Sequence, residues 1–237
     1  MANSITYATQ RKTARVAGLL YLLMTFFGVF SMMFVDAKLY VPGDAAATVT
    51  NILRSESLFR LGVASSLVSI ILFLLVANTL YKLLNSVDRD LARLMVVFVV
   101  VSIPVGLNFY EFAPILLLKG AGYTSVFQPA QLQALAMTFL ELQKQGGSIG
   151  QIFWGLWLFP LGLLVFKSGF IPRVFGVLLM VGCFGYILNA FTFLLFPDYK
   201  AITYLGSFVG FLAEILFIFW LLIKGVKDQK PATSEAT

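Results

Sequence analysis

The chain alternates between apolar blocks of about twenty residues and shorter polar segments, and most charged residues lie between the blocks. An α-helix needs about 20 residues to cross a hydrocarbon core of about 30 Å. The pattern predicts an all-α, polytopic membrane protein with one domain over residues 1–225 and a disordered polar tail over 226–237. Six transmembrane helices are expected at about 16–35, 61–81, 94–114, 149–167, 174–196 and 204–223.

Two of the segments between the spans carry a helical pattern of their own. Asp44 is a suitable N-cap for the segment 44–56, and apolar residues recur at helical spacing both there and in 129–144. Both segments are too short to span a bilayer. We therefore expect two amphipathic helices that lie flat on the outer surface, either covering the bundle or closing over a cavity as a lid.

Proline and glycine interrupt two of the predicted spans. The third contains Pro104 and Gly106, and the fourth contains Gly155, Pro160 and Gly162. A proline frees a carbonyl from its helical partner, which a membrane tolerates only where protein or water can satisfy that carbonyl. The pattern predicts kinks, either as plain structure or as hinges that form a site.

The distribution of basic residues predicts the orientation. The net charge is +6, but the 17 Lys and Arg residues are scattered at the ends of the apolar blocks instead of forming a patch, so nucleic acid is not an expected partner. If the N-terminus is cytoplasmic, 11 of them fall in cytoplasmic segments and 6 in outer ones. The positive-inside rule then predicts a multi-pass protein of the inner (plasma) membrane with both termini in the cytoplasm.

The composition excludes much of the chemistry common in membrane enzymes. The chain has no histidine, and its one cysteine, Cys183, lies inside an apolar block. A histidine base, a Ser-His-Asp triad, an intrachain disulfide and a cysteine-based zinc or iron–sulfur site are therefore all excluded. We expect no cofactor, no metal site and no catalytic residue.

A few polar residues lie inside the predicted spans. Glu214 is ten residues into the sixth span, or about 15 Å deep, near the middle of the membrane. Asn108 and Glu111 share a helical face closer to the outer end of the third span. Tyr186 and Asn189 lie on the fifth span, and Tyr186 is level with Glu214 across the short turn between the fifth and sixth spans. These five residues are predicted to form a ligand or proton track in the outer half, or alternatively to fix helix packing by hydrogen bonds to one another.

Glu214 shares its helical face with Gly206, Gly210 and Ala213, and such small residues are typical of close helix packing. The carboxyl group should therefore face the bundle, with Tyr186 as its first candidate partner. Desolvation disfavours a carboxylate at this depth, and the interior of the predicted spans offers no Lys or Arg to balance it. We expect Glu214 to be predominantly the neutral acid.

Four segments in order, ARVAGLLYLLMTFFGVF, VPGDAAATVTNILRSESLFRLG, LQALAMTFLELQ and SGFIPRVFGVLLMVGCFGYI, resemble a bacterial family of integral membrane proteins catalogued as a domain of unknown function, the 4386 family. The resemblance covers about Ala14 to Gly225 and is most specific around PGDAAAT and ILRSESLFR. It implies a multi-helix inner-membrane protein of bacterial or archaeal type. It carries no catalytic residue over to this chain.

Three functions remain open at this point. The leading expectation is a non-enzymatic protein that binds or passes a small lipophilic or cationic ligand, or protons, along an outward-facing track containing Glu214. The second is a structural or partner-binding membrane subunit, and the third is an intramembrane enzyme. The expected partners are membrane lipids, such a ligand, and further copies of this chain or other subunits.

Overall fold

The computed structural model describes residues 7–106, 108–196 and 198–227, with the backbone alone for 108–109 and 200–204. Within these ranges the chain is almost entirely helical and contains no strand. The predicted tail falls largely outside them. The α-helices are α1 (Tyr7–Val29), α2 (Asp36–Leu39), α3 (Ala45–Arg54), α4 (Glu56–Leu84), α5 (Arg89–Val105), α6 (Ala113–Lys119), α7 (Ala121–Thr124), α8 (Pro129–Ser168), α9 (Arg173–Leu195) and α10 (Lys200–Ile223).

The prediction of six spans is confirmed: the described part of the chain holds six helical segments that are long and apolar enough to cross a membrane. The first segment, Tyr7–Leu39, joins α1 to α2 through a π-helical turn at Phe30–Val35. The third, Arg89–Lys119, joins α5 to α6 through a 3-10 turn at Asn108–Phe112. The other four are α4, α8, α9 and the part of α10 from Leu205 to Ile223.

The six long helices form a closed ring. α1 packs against α4, α4 against α5, α5 against α8, α8 against α9, α9 against α10, and α10 returns to α1. The two ends of the described chain meet at one end of this ring, where the Tyr7 hydroxyl donates to the Val226 carbonyl over 3.2 Å. We call this the terminal end, and the opposite end, which holds α3, α6 and α7, the distal end.

The third span is broken at its proline, as the sequence predicts. α5 ends at Val105, directly after Pro104, and the chain continues as the 3-10 turn before α6 begins. Pro104 lacks an N–H to donate to Val100 and its ring crowds that carbonyl, so it weakens the last turn of α5, which ends one residue later at Val105. In α8, by contrast, the helix runs through Pro160 without a break.

Of the two helices predicted between the spans, one is a separate helix, as expected, and the other is not. Segment 44–56 contains the separate helix α3, whose first turn is capped by Asp44 through a 2.8 Å hydrogen bond from the Ala47 N–H. Segment 129–144 is helical, but it is not a separate helix, because α8 is one helix of 40 residues, about 60 Å long. The glycines after 144 do not end the helix: Gly146 is buried, and a Cβ on Gly150 would lie 3.7 Å from the Gly106 Cα. Gly146 and Gly150 lie where α8 packs against the rest of the ring, whereas a Cβ on Gly147 would have nothing within 4 Å.

The core is concentrated in the terminal half of the ring. Its largest cluster includes the fully buried side chains of Tyr21, Trp157, Leu161 and Phe217. Close backbone contacts accompany it, since a Cβ on Gly162 would lie 2.7 Å from the Gly176 carbonyl oxygen. A smaller cluster, Val35, Leu39, Ile52, Phe59 and Ile115, holds the distal end together.

Candidate functional site

The small-residue face of α10 packs against α9, as predicted. Gly206 contacts the backbone of Gly185, and a Cβ on Gly210 would lie 2.6 Å from the ring of Tyr186. Ala213 on the same face is buried. Because Glu214 follows Ala213 directly, this packing turns its carboxyl group toward the inside of the ring.

Both carboxyl oxygens of Glu214 have phenol partners. The Tyr186 hydroxyl donates to Oε2 over 2.6 Å, which confirms the predicted contact with α9. The Tyr21 hydroxyl on α1 donates to Oε1. Tyr21 was not predicted from the sequence, because residue depths can be matched only between helices that are joined by a short turn. The available signal was that Tyr21 places a hydroxyl within the first apolar block.

Glu111 has a separate set of partners nearer the distal end. It lies in the 3-10 turn after α5 and is buried. Its Oε1 accepts a hydrogen bond from the Ser66 hydroxyl on α4 and another from the Gln143 side-chain amide on α8, each 2.9 Å long. Gln143 reaches this position only because α8 continues beyond the predicted fourth span. Neither Ser66 nor Gln143 was among the predicted site residues.

The two carboxyl groups line a single cavity of about 240 Å³ in the middle of the ring. All six spans contribute to its wall. The wall contains side chains with oxygen or nitrogen atoms as well as aromatic rings. None of the described lining residues is Lys or Arg. The side chains that give the cavity its character are Glu111, Glu214, Ser66, Ser69, Ser102, Gln143, Phe73, Trp154, Trp157, Tyr186 and Phe211.

Glu214 keeps accessible surface inside the ring because of this cavity. Its side chain is half-buried, although its neighbours on α10, Ala213 and Phe217, are fully enclosed. Two aromatic contacts shape the wall beside it. The rings of Phe73 and Trp157 meet edge to face with centroids 5.0 Å apart, and those of Tyr21 and Trp157 are tilted with centroids 5.7 Å apart. The carboxyl group is therefore held by two phenols and also faces open space.

Of the five predicted track residues, the four whose side chains are described divide into two groups. Glu214, Tyr186 and Glu111 line the cavity. Asn189 instead donates its amide to Gln151 and Ser207, and it lies over Gly206, about 12 Å along α10 from Glu214. It belongs to the helix packing between α8, α9 and α10. The side chain of Asn108 lies outside the described residues. The role of these residues in binding stays a prediction.

The chemistry of the cavity suits a positive charge. Carboxylates and the faces of aromatic rings both attract cations, and the wall has no basic side chain to compete. In the part of the chain that is described, no group of three or more Cys, Asp or Glu side chains is placed to hold a metal ion.

Comparison with known proteins places the chain in a family. The model of a family described as a domain of unknown function, DUF4386, matches residues 16–225. An uncharacterized protein of Archaeoglobus fulgidus is 33% identical over 159 residues, which cover 67% of this chain and 80% of the archaeal protein. No solved structure shows a significant match. The resemblance seen in the sequence is confirmed, and the chain belongs to the DUF4386 family of membrane proteins.

Proposed function

We propose that this protein binds a small lipophilic cation in the central cavity, with Glu214 as its main counter-charge and Glu111 as the second. One observation carries the proposal: two carboxyl groups from different spans line one cavity, and none of the other described wall residues carries a charge. The protein would lie in the inner membrane with both termini in the cytoplasm, so that Glu111 is nearer the outer face.

Bringing a charge into the membrane interior costs free energy. An unpaired ion there is strongly disfavoured, whereas a paired one is tolerated. Glu214 supplies the opposite charge, and Trp157, Phe73 and Tyr186 supply aromatic rings. Each cation–π contact in a dry site contributes about 2 kcal/mol or more. A neutral ligand of the same shape would gain none of these terms.

The size of the cavity limits the ligand. An engineered protein cavity of about 150 Å³ holds a benzene molecule. The present cavity, at about 240 Å³, has room for one aromatic ring and a small ammonium group. Benzyltrimethylammonium is a suitable probe, and neopentylbenzene, in which carbon replaces the nitrogen, is its uncharged counterpart.

The test is equilibrium binding of benzyltrimethylammonium to the protein in nanodiscs, followed by tryptophan fluorescence because Trp154 and Trp157 line the cavity. Glu214→Gln should weaken binding at least tenfold, or about 1.4 kcal/mol. Glu111→Gln should weaken it less. Glu141→Gln is the matched control, since Glu141 is an exposed residue of α8 outside the cavity wall. Equal binding of the uncharged probe, or undiminished binding by Glu214→Gln, would reject the proposal.

The protonation of Glu214 gives a second test. We expect the empty site to hold the neutral acid and the cation to displace its proton, because a carboxylate pairs with the bound charge. Infrared difference spectra should then show loss of a carboxylic-acid C=O stretch when benzyltrimethylammonium is added. The band should be missing in Glu214→Gln. A carboxylate signal from Glu214 in the empty protein at neutral pH would contradict this expectation.

The orientation can be tested by labelling in sealed cells with a maleimide that does not cross membranes. In a Cys183→Ala background, a cysteine at the exposed position Thr50 should react from outside, and one at the exposed position Ser86 should not. The reverse pattern would overturn the proposed topology.

The alternative of a structural or partner-binding subunit has less support. Such a subunit would offer its small-residue face to another chain. Here Gly206 and Gly210 are already covered by Gly185 and Tyr186 of the same chain. If Glu214→Gln changes neither stability nor the binding of any cation, the structural alternative becomes the better one.

A further inference from the structure

We infer that the ligand enters the cavity sideways from the lipid, through the distal part of the seam between α1 and α10, and that it is a membrane-soluble tertiary amine. This inference rests on the proposed function and adds to it the entry route and the class of ligand. It depends on how the two helices pack along their length.

The seam is closed in the terminal half. A Cβ on Gly18 would lie 2.9 Å from the backbone nitrogen of Leu222, so α1 and α10 touch there through their backbones. The side chain of Leu221 closes the same contact. Nearer the middle of the membrane, the hydrogen bond from Tyr21 to Glu214 joins the two helices again. No ligand can pass between the helices over this part of the seam.

The seam is open beyond that hydrogen bond. Val29 at the end of α1, Met32 in the π-helical turn after it and Phe211 on α10 line the cavity. Their side chains are nevertheless 37%, 58% and 42% exposed. The described lining residues on α4, α5, α8 and α9 are all buried or half-buried. The cavity therefore reaches the surface of the ring between α1 and α10.

The other side of α1 is closed at the same depth. The Ser69 hydroxyl on α4 donates to the Met24 carbonyl over 2.9 Å, and a Cβ on Gly28 would lie 3.1 Å from that hydroxyl oxygen. α1 is thus held against α4 while its opposite face borders the opening. This asymmetry singles out the α1–α10 seam as the entrance.

The surface around the opening faces hydrocarbon and not water. Besides the three lining side chains, Phe26 on α1 and Phe208 on α10 are both more than 60% exposed. A permanent cation crosses such a surface at high cost, whereas the neutral form of an amine dissolves in it. On arrival the carboxylic-acid proton of Glu214 passes to the amine nitrogen, which leaves an ammonium ion paired with a carboxylate. No further reactant is needed.

The experiment measures the association rate, the dissociation rate and Kd separately. A residue at an entrance changes both rates, whereas a residue that binds the ligand changes Kd. The probe is N,N-dimethylbenzylamine, added by stopped flow to the protein in nanodiscs and followed by tryptophan fluorescence. Val29→Trp should slow both association and dissociation at least fivefold, whereas Glu214→Gln should raise Kd without slowing association. Phe211→Ala should accelerate both rates, and it keeps the test available if Val29→Trp does not fold.

Each variant has a matched control on the same helix. Leu23→Trp adds comparable bulk to α1, and Phe219→Ala removes the same ring from α10; both residues are exposed and lie outside the cavity wall. Neither control should change the rates by more than twofold.

The outcomes separate the two proposals. If Glu214→Gln weakens the binding of dimethylbenzylamine but Val29→Trp and Phe211→Ala leave both rates unchanged, the lateral entrance is wrong and the cation site stands. If the amine shows no binding that depends on Glu214, both proposals fall. Slower rates with the Leu23→Trp control as well would also overturn the entrance, because bulk anywhere on α1 would then explain the effect.

Discussion

The two halves of the ring are built from the same kinds of helix but are packed differently. In the terminal half the helices are regular and their faces meet through glycines and fully buried side chains such as Trp157 and Leu161. In the distal half the first span contains a π-helical turn, the third span is broken after Val105, and both irregular turns border the cavity.

This difference shows where a membrane protein can place polar groups. Regular helices satisfy their own backbone groups and can pack without water, so the terminal half needs little besides close fit. Irregular backbone is tolerated where protein or a cavity satisfies it, and here it lies beside the Glu111 cluster and the cavity. Stability is expected to depend mainly on the terminal half, and ligand binding on the distal half together with Glu214 at the boundary.

The largest predicted effect compares two glycines of α8. Gly162→Ala should destabilise the protein by about 1–3 kcal/mol, because the new methyl group would lie 2.7 Å from a backbone oxygen of α9 that cannot move away cheaply. Gly147→Ala, on the cavity wall, has nothing within 4 Å and should leave stability unchanged or slightly raised, since alanine favours the helix. Thermal unfolding in detergent measures both. Equal losses would show that the halves are packed alike.

A smaller effect is expected at the boundary between the halves. Glu214→Leu removes the acceptor of both Tyr21 and Tyr186 and should cost about 1 kcal/mol, the lower end of the usual range, because the cavity can admit water to the freed hydroxyls. Glu214→Gln keeps an acceptor of similar size and should unfold at nearly the wild-type temperature. A loss for the glutamine variant as large as that for leucine would show that the charge, and not the hydrogen bonds, holds this site together.

The smallest effect concerns a helix cap at the terminal end. Asp88 accepts a 3.1 Å hydrogen bond from the Leu91 N–H at the start of α5, and this bond, helped by Lys167, lowers the pKa of its carboxyl group. Its stabilising contribution is therefore present above the unfolded pKa of about 3.9 and is lost as the pH falls through the lower folded value.

The Asp88→Ala variant should accordingly unfold at a lower temperature than wild type at pH 7, and the difference should shrink below about pH 4. Asp88→Ser, which keeps a capping oxygen that does not titrate, serves as the control, and the difference between its unfolding temperature and that of Asp88→Ala should be independent of pH. A gap for Asp88→Ala that widens in acid would contradict the assigned sign.

Much of the site follows from local patterns. The apolar blocks and the 3.6-residue repeat are sufficient to predict the six spans, the inward direction of Glu214 and the small-residue face beside it. The contact with Tyr186 is predictable as well, because a short turn makes α9 and α10 antiparallel neighbours and so pairs their depths. These features depend on residues close together in the sequence.

Tertiary packing decided the rest. Tyr21 meets Glu214 only because α10 closes the ring on α1, and Gln143 meets Glu111 only because α8 continues through Gly146, which is buried in a helix contact. Asn189 shares the pattern of the site residues but packs with Gln151 and Ser207 instead. Hydrophobic periodicity determines how deep a residue lies and which face of its helix it occupies. Which helices from distant parts of the chain come together, and whether a cavity remains between them, depends on how their side-chain shapes fit, and no local pattern records that fit.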